Sequence, residues 1–369
     1  MSEPGPLLQV ENLAKHFPMA PDIFGRPRSI VRAVDGVTFT LERGRTLAIV
    51  GESGCGKTTL SRMIMRLIEP TAGKLHFADE DVRSMSPAQL RAARRRMQIV
   101  FQDPFSSLDP RKTIRRMLAQ PLRLTRLLSR RDLEARSIEL LELVGLNADH
   151  LDRYPHEFSG GQRQRLCIAR ALASEPELIV ADEPVSALDV SVQAQIINLL
   201  RDLQQRTGIA LLLVTHDLGV VRQMADEVAV MYLGRIVELA SANALFETPR
   251  HPYTRTLLDA VPRLAHRDRT RNITEGELPS PIAPPPGCHF NPRCAFAAPE
   301  CTTVAPALEV TGSDQRVACH RWTKIPHVEP AVEDIGDESS VLARRLRAFN
   351  AANQKRFSGG RVRAPQMSP

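Results

Sequence analysis

Short apolar runs, each followed by polar residues, recur along the first two-thirds of the chain. We predict buried strands there, over residues 46–50, 97–101, 178–181 and 209–214. Segments with helical character separate these strands, and strands that alternate with helices predict a mostly parallel sheet. Ligands of such sheets bind outside the carboxyl ends of the strands. The residues at those ends are Gly51, Gln102, Asp182 and His216.

Alternation of apolar and polar positions predicts a second group of strands nearer the N-terminus. These strands cover residues 7–10, 29–34, 37–41 and 73–77, with turns at 35–36 and 42–44. Residues 18–27 are expected to form a proline-rich loop. Helices are predicted over residues 57–67, 87–95, 113–144 and 166–172. Ser86 precedes the second helix as its cap, and Pro87 stands in its first turn.

Composition narrows the class of protein. A chain of 369 residues with 43% apolar content allows two or three domains with real cores. The net charge of +7 makes nucleic acid or anionic lipid headgroups candidate partners, although simple surface solubility explains it as well. No apolar run reaches the length of a membrane-spanning helix, and the start lacks a signal segment. We therefore expect a cytoplasmic protein whose cysteines do not form disulfides.

A phosphate-binding loop is predicted directly after the first buried strand. Gly51, four further residues and then Gly56-Lys57-Thr58 match the phosphate-loop pattern. Glycines let the backbone N–H groups turn toward an anion, and the following helix adds its N-terminal dipole. Lys57 is expected to reach the outer phosphates and the Thr58 hydroxyl to ligate Mg²⁺. An ordinary glycine-rich turn is the alternative, which the next motifs oppose.

Two carboxylates end the strand predicted at 178–181. Asp182 is expected to hold Mg²⁺ opposite Thr58, because this hard cation prefers oxygen ligands. Glu183 is a candidate general base that orients and polarises an attacking water. A plain acidic turn is the structural alternative.

A third motif lies between the phosphate loop and these carboxylates. The run Ser159-Gly160-Gly161-Gln162 resembles the signature motif of ABC ATPases, although Phe158 stands where that family usually has leucine. Other family motifs occur in the same order. They are the glutamine loop (Gln102), the loop after the base (Asp189), the switch histidine (His216) and the aromatic residue that stacks on adenine (Phe17). The resemblance covers roughly residues 7–262.

This resemblance implies an α/β fold. Its parts are a P-loop (RecA-like), mostly parallel sheet core, an antiparallel β subdomain and an inserted helical subdomain at about 104–171. It also implies that ATP is bound between two ATPase subunits, with the signature motif of one facing the phosphate loop of the other. Hydrolysis then depends on charge neutralisation and alignment at the γ-phosphate.

The residues to which the resemblance gives a role fall into three groups. The implied catalytic residues are Glu183, His216, Gln102 and Lys57. The implied Mg²⁺ ligands are Thr58, Gln102 and Asp182. The implied ATP contacts are Phe17, Gly51, Ser53, Gly54, Cys55, Gly56, Lys57, Thr58, Thr59, Asp182, Ser159, Gly160, Gly161, Gln162 and Asp189.

Four cysteines near the C-terminal end form a fourth motif. Cys288, Cys294, Cys301 and Cys319 are separated by five, six and seventeen residues. Such a set in a cytoplasmic chain predicts one thiolate-ligated centre, either Zn²⁺ or an iron–sulfur cluster. The lack of a Cys-x-x-Cys pair argues against an ordinary zinc knuckle, and four unligated cysteines are the alternative.

This segment, the run His251-Pro252-Tyr253-Thr254 and residues 101–110 together resemble the ATP-binding subunits of bacterial oligopeptide and dipeptide importers. The four cysteines are similar to those that hold a [4Fe–4S] cluster in some members, and His320 could replace one ligand. The resemblance implies a second, identical or related ATPase, two transmembrane permease subunits and an extracytoplasmic solute-binding protein as partners. It places the chain on the cytoplasmic face of the inner (plasma) membrane.

Three parts of the chain are therefore predicted. Residues 1–262 form the ATPase nucleotide-binding domain, 263–325 an extension with a proline-rich linker at 279–286, and 326–369 a disordered tail with one helix near 341–350. The cargo could also be nickel, glutathione or another small solute. An ABC protein acting on ribosomes would normally carry two cassettes. A chromosome or DNA-repair ATPase would carry long coiled coils, and residues 59–158 show no heptads, so no nucleic-acid partner is expected.

Overall fold

The computed structural model describes residues 5–19, 29–125, 129–260, 279–312 and 315–326. In these ranges the strands are β1 (Leu8–Pro18), β2 (Ile30–Leu41), β3 (Thr46–Val50), β4 (Ala72–Phe77), β5 (Glu80–Asp81), β6 (Met97–Val100), β7 (Leu178–Asp182), β8 (Ala210–Thr215), β9 (Glu227–Tyr232), β10 (Arg235–Ser241), β11 (Glu309–Val310) and β12 (Gln315–Val317). The helices are α1 (Lys57–Ile64), α2 (Pro87–Arg96), α3 (Pro104–Ser107), α4 (Ile114–Thr125), α5 (Arg130–Leu143), α6 (Gly160–Leu172), α7 (Val190–Thr207), α8 (Leu218–Met224), α9 (Ala242–Glu247), α10 (Pro252–Asp259) and α11 (Pro299–Thr303).

An eight-stranded sheet positions the residues of interest. Its strand order is β11-β12-β10-β9-β3-β8-β7-β6, and the run from β9 to β6 is parallel. Every residue of β3, β7 and β8 is buried, as expected for strands covered on both faces. Because β3 and β7 both pair in parallel with β8, their carboxyl ends lie at one edge of the sheet. The mostly parallel α/β fold predicted from the sequence is confirmed.

A smaller antiparallel sheet packs against this core, with the order β2-β1-β4-β5. The two sheets share one apolar core, in which Leu8, Val37 and Phe39 of the smaller sheet join Leu47 and Val180 of the larger one. All five side chains are almost fully buried. The burial of apolar side chains from both sheets therefore fixes their relative position.

The turn predicted at 35–36 is wrong. β2 continues through these positions as one strand from Ile30 to Leu41, and its pairing with β1 shifts register between Lys15 and Leu13. Gly36 has a positive φ of 78°, which relieves the strain of the resulting bulge. Asp35 is used for tertiary contacts instead, because its carboxylate binds Arg235 at 2.7 Å and His16 at 3.0 Å.

Helices α3 to α6 form a helical segment between β6 and β7. The helix predicted over 113–144 is in fact two helices, α4 and α5, and Ser129 caps the second by accepting a hydrogen bond from the Asp132 N–H. α4 buries Ile114, Leu118 and Leu122 along one side, as a 3.6-residue period requires. α1 ends at Ile64, earlier than predicted, and Arg66 beyond it has a positive φ of 47°.

The part of the chain after β8 differs most from expectation. The sequence analysis did not predict β9 and β10, which add a parallel and an antiparallel strand to the large sheet. β11 and β12 extend the same sheet, and β12 pairs with β10. The predicted linker at 279–286 contacts β2, because the Arg32 N–H donates to the Pro281 carbonyl at 3.1 Å.

Some expectations concern segments outside the described residues. They are the loop at 20–28, residues 261–278, and the tail from 327 onward with its expected helix near 341–350. Across the described ranges, no helix has the length and apolar character that crossing a membrane demands.

We predict that Ser86→Ala lowers the free energy of unfolding by about 1 kcal/mol, because Ser86 and Gln89 form a reciprocal capping box at the start of α2. Urea unfolding monitored by circular dichroism measures the change. Ser84→Ala is the matched control, since the Ser84 hydroxyl donates to the Asp81 carbonyl and not to the helix. Equal effects of the two substitutions would contradict the capping role.

Candidate functional site

Close backbone contacts surround the phosphate loop, residues 51–58. A Cβ atom on Gly51 would lie 2.1 Å from the Met231 carbonyl oxygen, and one on Gly56 would lie 2.0 Å from that of Ala33. Gly56 also has a φ of 109°, which side chains rarely allow. The loop therefore fits between β9 and β2 only with glycine at these two positions.

The N-terminus of α1 follows the loop directly. Gly56 is its N-cap residue and makes no side-chain capping hydrogen bond. Glycine has no side chain that could accept from the first backbone N–H groups of α1, and N–H groups at a helix N-terminus suit an anion. Ser53 and Gly54 are exposed at the tip of the loop, whereas Cys55 is buried and Thr59 is half-buried.

Lys57 lies under the loop. Its ammonium donates to the carbonyl oxygens of Gly51 at 2.8 Å and Glu52 at 2.9 Å, and the residue is 5% exposed. The lysine charge is therefore held beside the loop, within reach of any anion that the loop binds.

Thr58 and Asp182 meet although 124 positions separate them along the chain. The Thr58 hydroxyl donates to one carboxylate oxygen of Asp182 at 3.3 Å, and the Ser61 hydroxyl donates to the other at 3.2 Å. Burial raises the pKa of Asp182, and the hydrogen bonds from Ser61 and Thr58 partly offset that rise. These oxygen atoms form a donor set of the kind that Mg²⁺ prefers. Sequence reasoning missed Ser61, which one further helical turn places next to Thr58.

Glu183 and His216 form a pair at the same sheet edge. The Nδ1 atom of His216 lies 3.4 Å from a Glu183 carboxylate oxygen. The Glu183 side chain is only 16% exposed, whereas that of His216 is 60% exposed. Glu183 has a positive φ of 48°, an unfavourable conformation for a residue with a side chain, and its N–H donates to the Val214 carbonyl at 2.8 Å. The strand end therefore holds this carboxylate in a fixed and strained position.

Gln102 and Phe17 lie at the ends of other strands. Gln102 is exposed and follows β6, directly before Asp103, which caps α3. Phe17 is half-buried in β1, and the Lys15 ammonium lies 5.0 Å from its ring centroid. Among the described residues, no hydrogen bond or ion pair joins either side chain to the phosphate loop.

The signature residues lie at the N-terminus of α6. Ser159 caps the helix and is exposed, with its N–H donating to Gln162 at 3.0 Å. Gly161 packs against α7, because a Cβ atom there would lie 2.3 Å from Val192. In the described parts of the chain, no hydrogen bond connects residues 159–162 with the phosphate loop of the same molecule.

Asp189 is exposed beside this motif. It is the N-cap residue of α7, and the Val190 side chain that follows is 81% exposed. Both residues are therefore open to solvent at the start of α7.

The four cysteines line one small pocket, together with His251, Phe290 and His320. Burial raises the pKa of Cys288 to about 11 and that of Cys319 to about 12, so both are thiols at neutral pH. No group of three or more His, Cys, Asp or Glu side chains is arranged to hold a metal ion in the ranges that the structure describes. The four sulfurs therefore line one pocket, but their positions in this structure do not form a metal-binding geometry.

One buried polar atom in this pocket lacks a partner among the described residues. His251 Nδ1 accepts a hydrogen bond from the Tyr253 N–H at 3.1 Å, which leaves the ring proton on Nε2. That Nε2 atom is buried without an acceptor, and burial lowers the pKa of His251 to about 3. A buried N–H without an acceptor destabilises the fold. An electron-rich group bound in the pocket would supply that acceptor.

Comparison with family models gives two matches. Residues 34–186 match the model described as ABC transporter. Residues 237–301 match the model described as oligopeptide/dipeptide transporter, C-terminal region.

The chain is also similar to curated proteins along most of its length. It is 50% identical to the dipeptide transport ATP-binding protein DppF of Escherichia coli (strain K12), covering 85% of this chain and 94% of that protein. It is 47% identical to the oligopeptide transport ATP-binding protein AppF of Bacillus subtilis (strain 168), covering 86% and 98%. Among solved structures, a dimeric post-hydrolysis state of the ATP-binding cassette MJ0796 bound to ADP and Pi matches with a TM-score of 0.57 and 28% identity. That match covers 64% of this chain and 98% of the other.

We predict that Asp182→Asn lowers Mg²⁺-dependent ATP turnover by roughly a hundredfold, because the buried carboxylate beside the Thr58 hydroxyl, a candidate Mg²⁺ ligand, is lost. The same variant is expected to be more stable than the parent near neutral pH. Since burial raises the pKa of Asp182, the folded state binds its proton more tightly than the unfolded chain. The free energy of unfolding of the parent therefore falls as pH rises through the folded-state pKa of Asp182. Asparagine does not titrate, so the variant does not lose this stability.

Urea unfolding without Mg²⁺ at about pH 7 and about pH 4 measures the second effect, and its size should shrink in acid. Asp202→Asn, at an exposed position on α7, is the matched control and should change neither quantity. A variant at Asp182 that is less stable than the parent at neutral pH would contradict the role given to burial.

Proposed function

Because this chain belongs to the family of ABC transporter ATP-binding proteins, in its oligopeptide/dipeptide group, we propose that it is the ATP-hydrolysing subunit of a bacterial importer for dipeptides or oligopeptides. The proteins to which it is about half identical carry dipeptide and oligopeptide transport in their names. The observation that carries the proposal is the meeting of two pairs at one sheet edge. Thr58 lies beside Asp182, and Glu183 lies beside His216.

In the proposed mechanism the loop at 51–58 and the Lys57 ammonium hold the outer phosphates of ATP. Mg²⁺ supplies charge neutralisation on those phosphates, with Thr58, Asp182 and Gln102 as the residues that would hold it. Alignment and electrostatic stabilisation do most of the work in phosphoryl transfer, so a rigid loop is an advantage.

Glu183 is the proposed general base. It would orient the attacking water and accept its proton, and His216 would contact both the Glu183 carboxylate and the γ-phosphate. The low exposure of Glu183 and its fixed backbone favour this role over that of a surface carboxylate.

A second subunit completes the proposed site. Ser159, Gly160 and Gly161 of the facing ATPase would donate to the γ-phosphate held by this chain, with Gln162 and Asp189 at the same interface. The exposed Ser159 and Val190 and the lack of a hydrogen bond to the phosphate loop in the same molecule support this arrangement. Phe17, on the outer sheet, is the proposed adenine contact.

Two transmembrane permease subunits are the other proposed partners, served by an extracytoplasmic solute-binding protein. We place their contact on the helical segment at the groove lined by Phe105, Leu108 and Met117. Phe105 is 62% exposed, and the Arg163 guanidinium stacks 4.1 Å from its ring centroid. This exposed aromatic side chain lies three residues after Gln102, so a permease there could sense the nucleotide site. The chain would then act at the cytoplasmic face of the inner membrane.

We also propose the division of the chain that the sequence predicted. Residues 1–262 would be the nucleotide-binding domain, with its helical subdomain at about 104–171. Residues 263–325 would be the extension, and 326–369 a tail. The family model for the C-terminal region matches residues 237–301 and supports a distinct extension. Its match begins within β10, before the proposed boundary at 263.

The four-cysteine pocket is a proposed site for a [4Fe–4S] cluster, with Zn²⁺ as the alternative. Four thiols in one pocket are a suitable donor set for either centre. The buried His251 Nε2–H, which has no acceptor among the described residues, favours a group rich in sulfide or thiolate.

We predict that Glu183→Gln keeps ATP binding but lowers turnover by about 10²–10⁴-fold, the usual contribution of a general base. Steady-state phosphate release and equilibrium binding of a fluorescent ATP analogue measure the two effects. Glu247→Gln, at an exposed position on α9, is the control. Normal turnover by the Glu183 variant would show that another group is the base.

Iron and acid-labile sulfide assays on anaerobically purified protein test the cysteine pocket. A cluster predicts about four of each per chain, with loss in Cys294→Ser and retention in Cys167→Ser, whose cysteine is buried in α6. About one zinc per chain without sulfide would reject the cluster, and the absence of both metals would reject the metal site.

A further inference from the structure

We propose that Arg293, together with Tyr253, positions the phosphate loop through Glu52. The Cys-bearing C-terminal segment is thereby a working part of the ATP site. Arg293 is a positioning residue, since it contacts the loop and not the reacting atoms. The proposal rests on the assignment of residues 51–58 as the ATP phosphate loop.

Glu52, the second residue of the loop, is held at all three of its polar groups. Its backbone N–H donates to the Tyr253 hydroxyl at 2.8 Å. Its carboxylate accepts two hydrogen bonds from the Arg293 guanidinium, both at 3.1 Å. Its carbonyl oxygen accepts from the Lys57 ammonium at 2.9 Å. These contacts fix the orientation of the peptide group that enters the loop.

The Arg293 anchor is itself rigid. Its side chain is 9% exposed, and its guanidinium lies 5.9 Å from the ring centroids of both Tyr232 and Phe290. It also donates to the Tyr232 hydroxyl at 3.4 Å. A two-pronged arginine–carboxylate pair sets an angle as well as a distance, which a single lysine contact would not do.

Tyr253 lies in the same aromatic cluster. Its ring centroid is 4.6 Å from that of Tyr232 and 5.5 Å from that of Phe290. Burial raises the pKa of Tyr253, so its hydroxyl stays neutral and can accept the Glu52 N–H. The run His251-Pro252-Tyr253 starts α10, and the His251 side chain accepts the Tyr253 N–H to cap that helix. The helix start thus aims the hydroxyl at the loop.

Both anchors come from distant parts of the chain. Tyr253 is 201 positions and Arg293 is 241 positions from Glu52. Neither chain neighbour of Glu52 offers a side chain that could hold it, because Gly51 has none and Ser53 is exposed. Preorganisation of the loop lowers the ordering cost of binding ATP, so its loss should weaken binding more than the chemical step.

The test compares Glu52→Gln and Arg293→Met in the purified full-length protein. Each should raise both the Kd for a fluorescent ATP analogue and the KM for ATP by roughly tenfold, with kcat within about twofold of the parent. The double variant should be no worse than Arg293→Met alone, because both changes break the same pair. Glutamine matches glutamate in shape at a half-buried position, so this variant tests the proposal even if Arg293→Met does not fold.

Arg115→Met is the matched control. Arg115 also forms a two-pronged pair, with Asp152 in the helical segment, and its removal should leave Kd and KM unchanged. Unchanged ATP affinity in Glu52→Gln, or additive effects in the double variant, would overturn the proposal. Lys57→Ala shows whether such a result concerns only the role of Arg293 or the assignment of residues 51–58 as the ATP phosphate loop. If Lys57→Ala alone weakens binding, only the role of Arg293 is wrong, and if it binds ATP normally, the loop assignment is wrong.

Discussion

A phosphate loop must present backbone N–H groups to an anion, and this requirement constrains the structure around it. The loop passes so close to the carbonyls of Met231 and Ala33 that Gly51 and Gly56 admit no side chain. The parallel pairing of β3 with β8 and β9 then fixes where the loop starts. The smaller sheet contributes Ala33 and shares its apolar core with the larger one. Both sheets therefore determine the position of the phosphate loop.

The same pairing assembles the acidic side of the site. Because β3, β8 and β7 are neighbours in that order and end at one edge of the sheet, Asp182 reaches Thr58, and Glu183 reaches His216. The strain at Glu183 and the burial of Asp182 are costs to stability that occur at functional positions. The signature motif lies elsewhere on the surface, at the start of α6. If Lys57 and this serine–glycine motif hold the same nucleotide, as the proposed function requires, two molecules are needed to complete the site.

The sequence was sufficient to predict the features that depend on short-range patterns. The phosphate loop, the α2 cap and the buried strands are each encoded within about ten residues, and the structure has all three. The turn at 35–36 was wrong because Asp35 forms an ion pair with Arg235, 200 positions away, and this contact keeps the strand continuous. The contacts of Glu52 with Tyr253 and Arg293 were not predicted for the same reason: no local pattern indicates which residues meet after folding.

On the proposed function, ATP is held between two ATPase subunits. Sedimentation velocity of the Glu183→Gln variant, with and without Mg²⁺–ATP, measures this association, for the variant alone and mixed with any companion ATPase of the same transporter. We expect monomers without nucleotide and a dimer with ATP, which an additional substitution of Ser159 at the facing motif should weaken. A species that stays monomeric with saturating ATP in both settings would contradict it.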